Sequence, residues 1–84
     1  MPVHASDSSD EALFEALRAR RLEMARDKRV APFIIAKDSM LRGIALHRPS
    51  TLAALGEIPG MGAVRCAAYG DAFLEVVMDA STDS

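Results

Sequence analysis

Apolar residues recur along this chain at helical spacing in short blocks, each ended by a proline, a glycine or a run of charge. Leu13, Phe14, Leu17, Met24 and Ala25 make one stripe, which predicts a first helix from about Ser9 to Lys28 or Arg29. Ser8 and Glu11 have capping-box spacing at its start, and Arg26, Lys28 and Arg29 suit the negative end of its dipole. Val30-Ala31-Pro32 stops it, and Pro32 can open a short helical turn to Ala36. Asp38 is expected to cap a third helix with Leu41, Ile44 and Ala45 on its inner face, ending at His47-Arg48-Pro49. Ser50 or Thr51 then caps a short fourth helix that turns Leu52, Leu55 and Ile58 inward. A fifth helix carries Cys66, Tyr69, Gly70, Phe73, Leu74 and Val77 on one stripe from about Gly62 to Asp79. Residues 1–8 read as a flexible linker, 9–79 as one domain and 80–84 as a polar tail. No strand pattern and no internal repeat appears.

Between the fourth and fifth patterns lies Leu55-Gly56-Glu57-Ile58-Pro59-Gly60-Met61-Gly62. Proline and two glycines around one apolar residue predict a tight turn with positive φ, Met61 facing the core. Such a turn can lock two short helices together, or lend the N–H groups of the following helix to a phosphate.

Composition narrows the class to an all-α bundle. Eighty-four residues allow one domain, half of them are apolar, and fifteen are alanine. The single cysteine forms no intramolecular disulfide and, on the apolar stripe, is expected to be a buried inert thiol, which suits a cytoplasmic location. No long apolar run predicts a membrane span, and no leader is recognised. His4 and His47 have no ligand cluster around them, so no metal is expected. No Ser/His/Asp, Cys/His or clustered-carboxylate arrangement predicts catalysis.

Charge changes the picture more. The net charge is -2, yet all ten basic residues lie between Arg18 and Arg65, with only Glu23, Asp27, Asp38 and Glu57 among them. The other eight acids sit toward the two ends. The segregation predicts either a basic face for an anionic partner with an acidic face elsewhere, or two solvated surfaces.

The ordered blocks LFEALRARRLEMA (13–25), VAPFII (30–35), DSMLRGIA (38–45), RPSTLAAL (48–55) and IPGMG..R...YG..FL..V (58–77) resemble the HRDC domain, the helicase and RNase D C-terminal domain. The resemblance covers about residues 11–79. It implies a compact five-helix bundle with a helix-hairpin-helix-like element at Ile58–Gly62, and a non-catalytic module of a larger enzyme. The Leu-Phe start, Val-x-Pro-aromatic at 30–33 and Tyr69-Gly70 look closer to RecQ-type DNA helicases than to RNase D, whose domains help hold RNA. The implied role is weak single-stranded DNA binding in repair or recombination, by a monomer without a cofactor. ATP and Mg are expected only in the parent's helicase core, since no phosphate-binding G-x-x-x-x-G-K-[ST] loop is present here.

Phe33 stands where RecQ-type members often carry an exposed Tyr, and an aromatic there can stack on an unpaired base; the alternative is a core Phe. Lys37, Arg42 and Arg48 are placed to follow a sugar-phosphate backbone along the third helix, or are solvated charges. Gly60, Gly62 and Arg65 make the hairpin's share, Arg65 standing where the family usually has Lys. Neighbouring positions that are basic or polar in many relatives read Ala63, Val64, Ala67 and Ala68, so the third-helix face is expected to lead and the hairpin to assist. Of the two arginines interrupting the first stripe, Arg21 is expected to cover core with its stem and reach a carboxylate such as Asp38, and Arg20 to add to the basic face. The other reading uses Asp71, Glu75 and Asp79 as an acidic patch for the parent helicase core or another protein. Glu75 and Asp79 are a like-charge i, i+4 pair near a helix C-terminus, which costs a little stability.

Overall fold

The computed structural model describes the backbone of residues 2–83 and the side chains of residues 10–80. Five helices follow in order: α1 (Pro2–Lys28), α2 (Pro32–Ile35), α3 (Asp38–His47), α4 (Leu52–Gly56) and α5 (Gly62–Asp83). Among the described residues there is no strand. The long helix α1 packs on α3, α5 and α2, while α4 packs on α5. Leu13, Phe14 and Leu17 of α1 meet Leu41 and Ile44 of α3, Leu55 of α4 and Phe73 and Val77 of α5 in one buried cluster.

Several boundaries differ from the sequence reading. Helix α1 begins at Pro2 rather than near Ser9, proline being well suited to a first helical turn. The backbone is already helical at Ser8, so the helix does not start there; the side chain expected to form the capping box lies outside the described residues. Helix α5 continues past Asp79 to Asp83, because Ala80-Ser81-Thr82 contains no glycine or proline to stop it. Asp38 is not the N-cap of α3. Lys37 holds that place in extended conformation, and Asp38 is the first helical residue, its carboxylate turned to Arg21. Leu52, expected inside, is exposed, whereas Leu55 and Ile58 are buried as predicted.

Local signals explain the two sharp helix ends. Arg29 closes α1 with φ of 59°, donating its N–H to Arg26 C=O at 3.2 Å, while Val30 N–H reaches Ala25 C=O at 3.0 Å. That pair of bonds satisfies carbonyls the helix would leave orphaned. Thr51 caps α4, its hydroxyl accepting from Ala54 N–H at 3.1 Å.

The hairpin between α4 and α5 forms as its residues demand. Met61 N–H donates to Ile58 C=O at 2.9 Å, with Pro59 and Gly60 in the two central positions. Gly60 has φ of +89° and Gly62 φ of +63°, the left-handed conformations that the pattern predicted. Met61 is buried between them. Gly70 of α5 lets α4 approach closely: a Cβ there would stand 2.7 Å from Leu52 Cδ2 and 3.3 Å from Leu55 Cδ2.

Candidate nucleic-acid interface

Phe33 and Ile34 stand out from α2, 60% and 48% exposed, while Ile35 beside them is fully buried. A four-residue helix has few carbonyls paired within itself, and two arginines supply the missing donors. Arg21 Nη1 donates to Ala36 C=O at 3.0 Å, and Arg65 Nε donates to Ile35 C=O at 3.1 Å. Arg65 also reaches Gly60 C=O with Nη1 at 3.4 Å, which ties α2 to the hairpin. The cation expected to meet a phosphate is thus half-buried and partly engaged by backbone, leaving the rest of its fork to the surface.

Ile34, Gly60, Gly62, Val64, Arg65 and Tyr69 line a shallow groove of about 470 Å³ at this end of the bundle. Lys28 Nζ lies 5.7 Å from the centroid of the Tyr69 ring, within cation–π range. The groove wall is polar and apolar in equal measure, and Val64 on its rim is 85% exposed. The hairpin meets α2 here and not the third-helix face that was expected to lead: Arg65 is bonded to Ile35 C=O and Gly60 C=O, and Ile34 lines the same groove.

Ion pairing divides the ten basic residues. Arg18 pairs with Glu15 at 3.3 Å, Arg20 with Glu75 at 3.3 Å and Glu23 at 3.6 Å, and Arg21 with Asp38 at 2.7 Å. Arg42 pairs with Glu11, and Arg48 Nη2 lies 3.5 Å from Asp10 Oδ1. Arg26, Lys28, Arg29, Lys37 and Arg65 have no acidic partner among the described residues. Arg26, Lys28 and Arg29 lie where α1 ends, with Asp27 among them in the chain; Lys37 follows α2, and Arg65 of α5 is bonded to α2 through Ile35 C=O. Three of them, Arg26, Lys28 and Arg29, carried no functional reading in the sequence, where they looked like partners of the helix dipole. Their position immediately before an exposed aromatic turn was the available signal.

The side chains of Arg42 and Arg48 therefore face α1 acids instead of continuing a basic strip from Phe33 and Lys37. Arg20, expected on the basic face, bridges α1 to α5 through Glu75 and also donates to Ala72 C=O at 3.3 Å. That contact offsets the Glu75–Asp79 repulsion, so Glu75 is not a free acid, while Asp71 and Asp79 remain exposed on α5. Arg21 behaves as its spacing predicted. Its guanidinium holds the Asp38 carboxyl below the usual carboxylate range, chiefly through their hydrogen bond, against the opposing effect of desolvation. The Cys66 thiol is half-buried and donates to Leu52 C=O at 3.4 Å. Among the described residues no group of three or more metal-ligating side chains converges, and no helix is long and apolar enough to cross a membrane.

The HRDC domain model matches residues 10–77. The chain belongs to the HRDC domain family. Its HRDC fold superposes on D. radiodurans RecQ HRDC domain 3 with a TM-score of 0.78 at 35% identity, covering 81% of this chain and 90% of that one. In sequence it is 37% identical over 68 residues to ATP-dependent DNA helicase UvrD2 of Mycobacterium tuberculosis, covering 81% of this chain and 10% of that protein. It is also 33% identical over 73 residues to ATP-dependent DNA helicase RecQ of Bacillus subtilis, covering 87% of this chain and 12% of that protein. The HRDC domain thus spans about a tenth of the length of the helicases it matches. Both RecQ and UvrD2 helicases carry stretches similar to it, and the all-α five-helix fold is the one that the resemblance implied.

Proposed function

We propose that this HRDC domain is an auxiliary, non-catalytic module of a cytoplasmic RecQ-like DNA helicase acting in repair or recombination, and that it engages single-stranded DNA weakly. The observation that carries this reading is the exposed Phe33 on α2, with Arg26, Lys28, Arg29 and Lys37 close to it in the chain and Arg65 bonded to the same turn, none of the five ion-paired among the described residues. An aromatic face offers stacking to any base, and cations alongside it follow the backbone, which is the composition of a sequence-tolerant single-strand site. Phe33 stacks a base; Arg26, Lys28, Arg29, Lys37 and the free edge of Arg65 contact phosphates. Gly60 and Gly62 shape the groove wall. The domain needs no cofactor for this, and ATP with Mg belongs to the parent's motor. UvrD2's similarity makes a UvrD-type parent the other candidate.

Fluorescence anisotropy with a labelled single-stranded oligonucleotide at low salt tests the reading. Engagement of two to four of these five cations at a time predicts a slope of log K against log salt of roughly -0.7 for each phosphate contacted. No anisotropy change at high protein concentration overturns it. The exposed Val64 and Ile34 favour a second reading, contact with the helicase core or another protein. In that case Val64→Glu alters the full-length enzyme without changing oligonucleotide binding.

A further inference from the structure

Two consecutive acids of α1 hold an arginine of α3 and the arginine that caps its C-terminus. Glu11 pairs with Arg42, and Asp10 lies against Arg48. The Arg42 guanidinium carbon is 3.7 Å from the centroid of the Phe14 ring, whose residue is buried three positions along α1 from Glu11. Arg18, paired with Glu15, approaches the same ring at 5.8 Å. Phe14 thus sets the plane of the Arg42 fork, and Glu11 takes up part of its edge. Arg48 is held by its backbone as well, being the left-handed C-cap of α3 with φ of 48°.

A carboxylate and a phosphate look alike to a guanidinium: each presents charged oxygens that accept from the planar fork. We infer that Asp10 and Glu11 are phosphate stand-ins, an autoinhibitory contact that masks a second backbone-binding face on α1 and α3. DNA engages Arg42 and Arg48 only by displacing the two carboxylates. The inference rests on the single-strand reading above and deepens it, adding a masked face to the open one around Phe33. The mask is shallow. Both side chains of the Arg42–Glu11 pair are more than half exposed, and exposed ion pairs are held weakly, so phosphate exchanges for carboxylate with little net change.

Neutralising the acids while keeping their shape tests this. Glu11→Gln and Asp10→Asn, each on an exposed or half-exposed position, are compared with Asp71→Asn, which changes net charge equally without touching an arginine of α3. Oligonucleotide affinity and its salt slope are measured for each, with helical content and melting confirming the fold. Glu11→Gln is expected to tighten binding about threefold, the scale of one exposed ion pair. The slope should steepen by about 0.7 as Arg42 gains a phosphate. Adding Arg42→Ala to Glu11→Gln should abolish the gain. If wild type binds and Glu11→Gln behaves like Asp71→Asn, the mask is overturned and the single-strand reading stands. If neither wild type nor the neutralised variants bind, both fall. Binding by the neutralised variants alone supports the mask and overturns the reading that the unmodified domain engages single strands through its open face.

Discussion

Arg21 Nη1 donates to Asp38 Oδ1 at 2.7 Å, joining the middle of α1 to the first residue of α3 across α2. The same nitrogen donates to Ala36 C=O, and Arg21 Nε is buried without a partner. Arg21→Ala removes the donor from a buried carbonyl and empties the space under its stem, so it should destabilise the domain by about 1–3 kcal/mol. Arg21→Met keeps the stem and removes the unpaired Nε, and should cost less than Arg21→Ala. Urea midpoints at neutral pH decide the order. Equal midpoints for wild type and Arg21→Ala would show that the arginine carries no stability.

Asp38 gives that contact a pH dependence. Its folded-state pKa is lowered, so the unfolded chain takes up the proton first as pH falls. The stability it supplies is complete above the ordinary carboxylate value of about 4 and declines through that value to the lowered one. Asp38→Asn should therefore lose less stability than wild type between pH 5 and pH 3, although other carboxylates titrate in both. Identical losses would deny Asp38 this role.

Phe33 separates binding from folding. Being largely exposed, it should yield a Phe33→Ala protein within about 0.5 kcal/mol of wild-type stability. Single-strand affinity should fall by ~1–3 kcal/mol, the range for loss of one stacked base. Phe33→Tyr should retain most of the affinity. An unchanged anisotropy titration for Phe33→Ala would remove the aromatic from the site.

Arg29 and Arg48 are the non-glycine residues with positive φ among those described, and both end helices. A left-handed arginine costs about 1–2 kcal/mol relative to a relaxed one, partly offset by a cation's attraction to a helix C-terminus. Arg29→Gly should raise stability by up to about 1 kcal/mol and at the same time weaken DNA binding, with the salt slope shallower by about 0.7. A gain in melting temperature with undiminished binding would make Arg29 merely a tolerated strain.

Gly60 should be harder to replace than Gly62. A Cβ at Gly60 meets Met40 Cε at 3.0 Å in a left-handed conformation, whereas nothing lies within 4 Å of one at Gly62. Gly60→Ala is expected to cost about 1–2 kcal/mol from its backbone alone, and more than Gly62→Ala by thermal melts.

The sequence was most informative where chemistry is local. Pro59 fixes its own φ and glycines at 60 and 62 reach the left-handed region that other residues avoid, so the hairpin and Met61's burial could be read directly, as could the Arg21–Asp38 contact from an arginine set in an apolar stripe. Partner choice among exposed charges was not legible. Arg42 and Lys37 look alike as basic residues beside α3, and only the approach of α1 gives one of them Glu11 and leaves the other unpaired. Arg20 was misjudged for the same reason, because its partner Glu75 is fifty-five positions away. The exposure of Phe33 against the burial of Ile35 likewise depends on how α2 is seated, since three adjacent apolar residues carry no periodicity of their own.

The seating of α2 has a consequence for how tightly a single aromatic can hold a strand. A four-residue turn left to itself would sample many conformations, and a base landing on it would have to freeze them. Arg21 and Arg65, one from each long helix, have already fixed its last carbonyls. Little backbone ordering remains when Phe33 is met, so most of the stacking enthalpy is available as affinity. Lysine at either position would keep the charge but lose the planar fork that makes Arg21 and Arg65 rigid clamps, and Phe33 would then become a mobile hook.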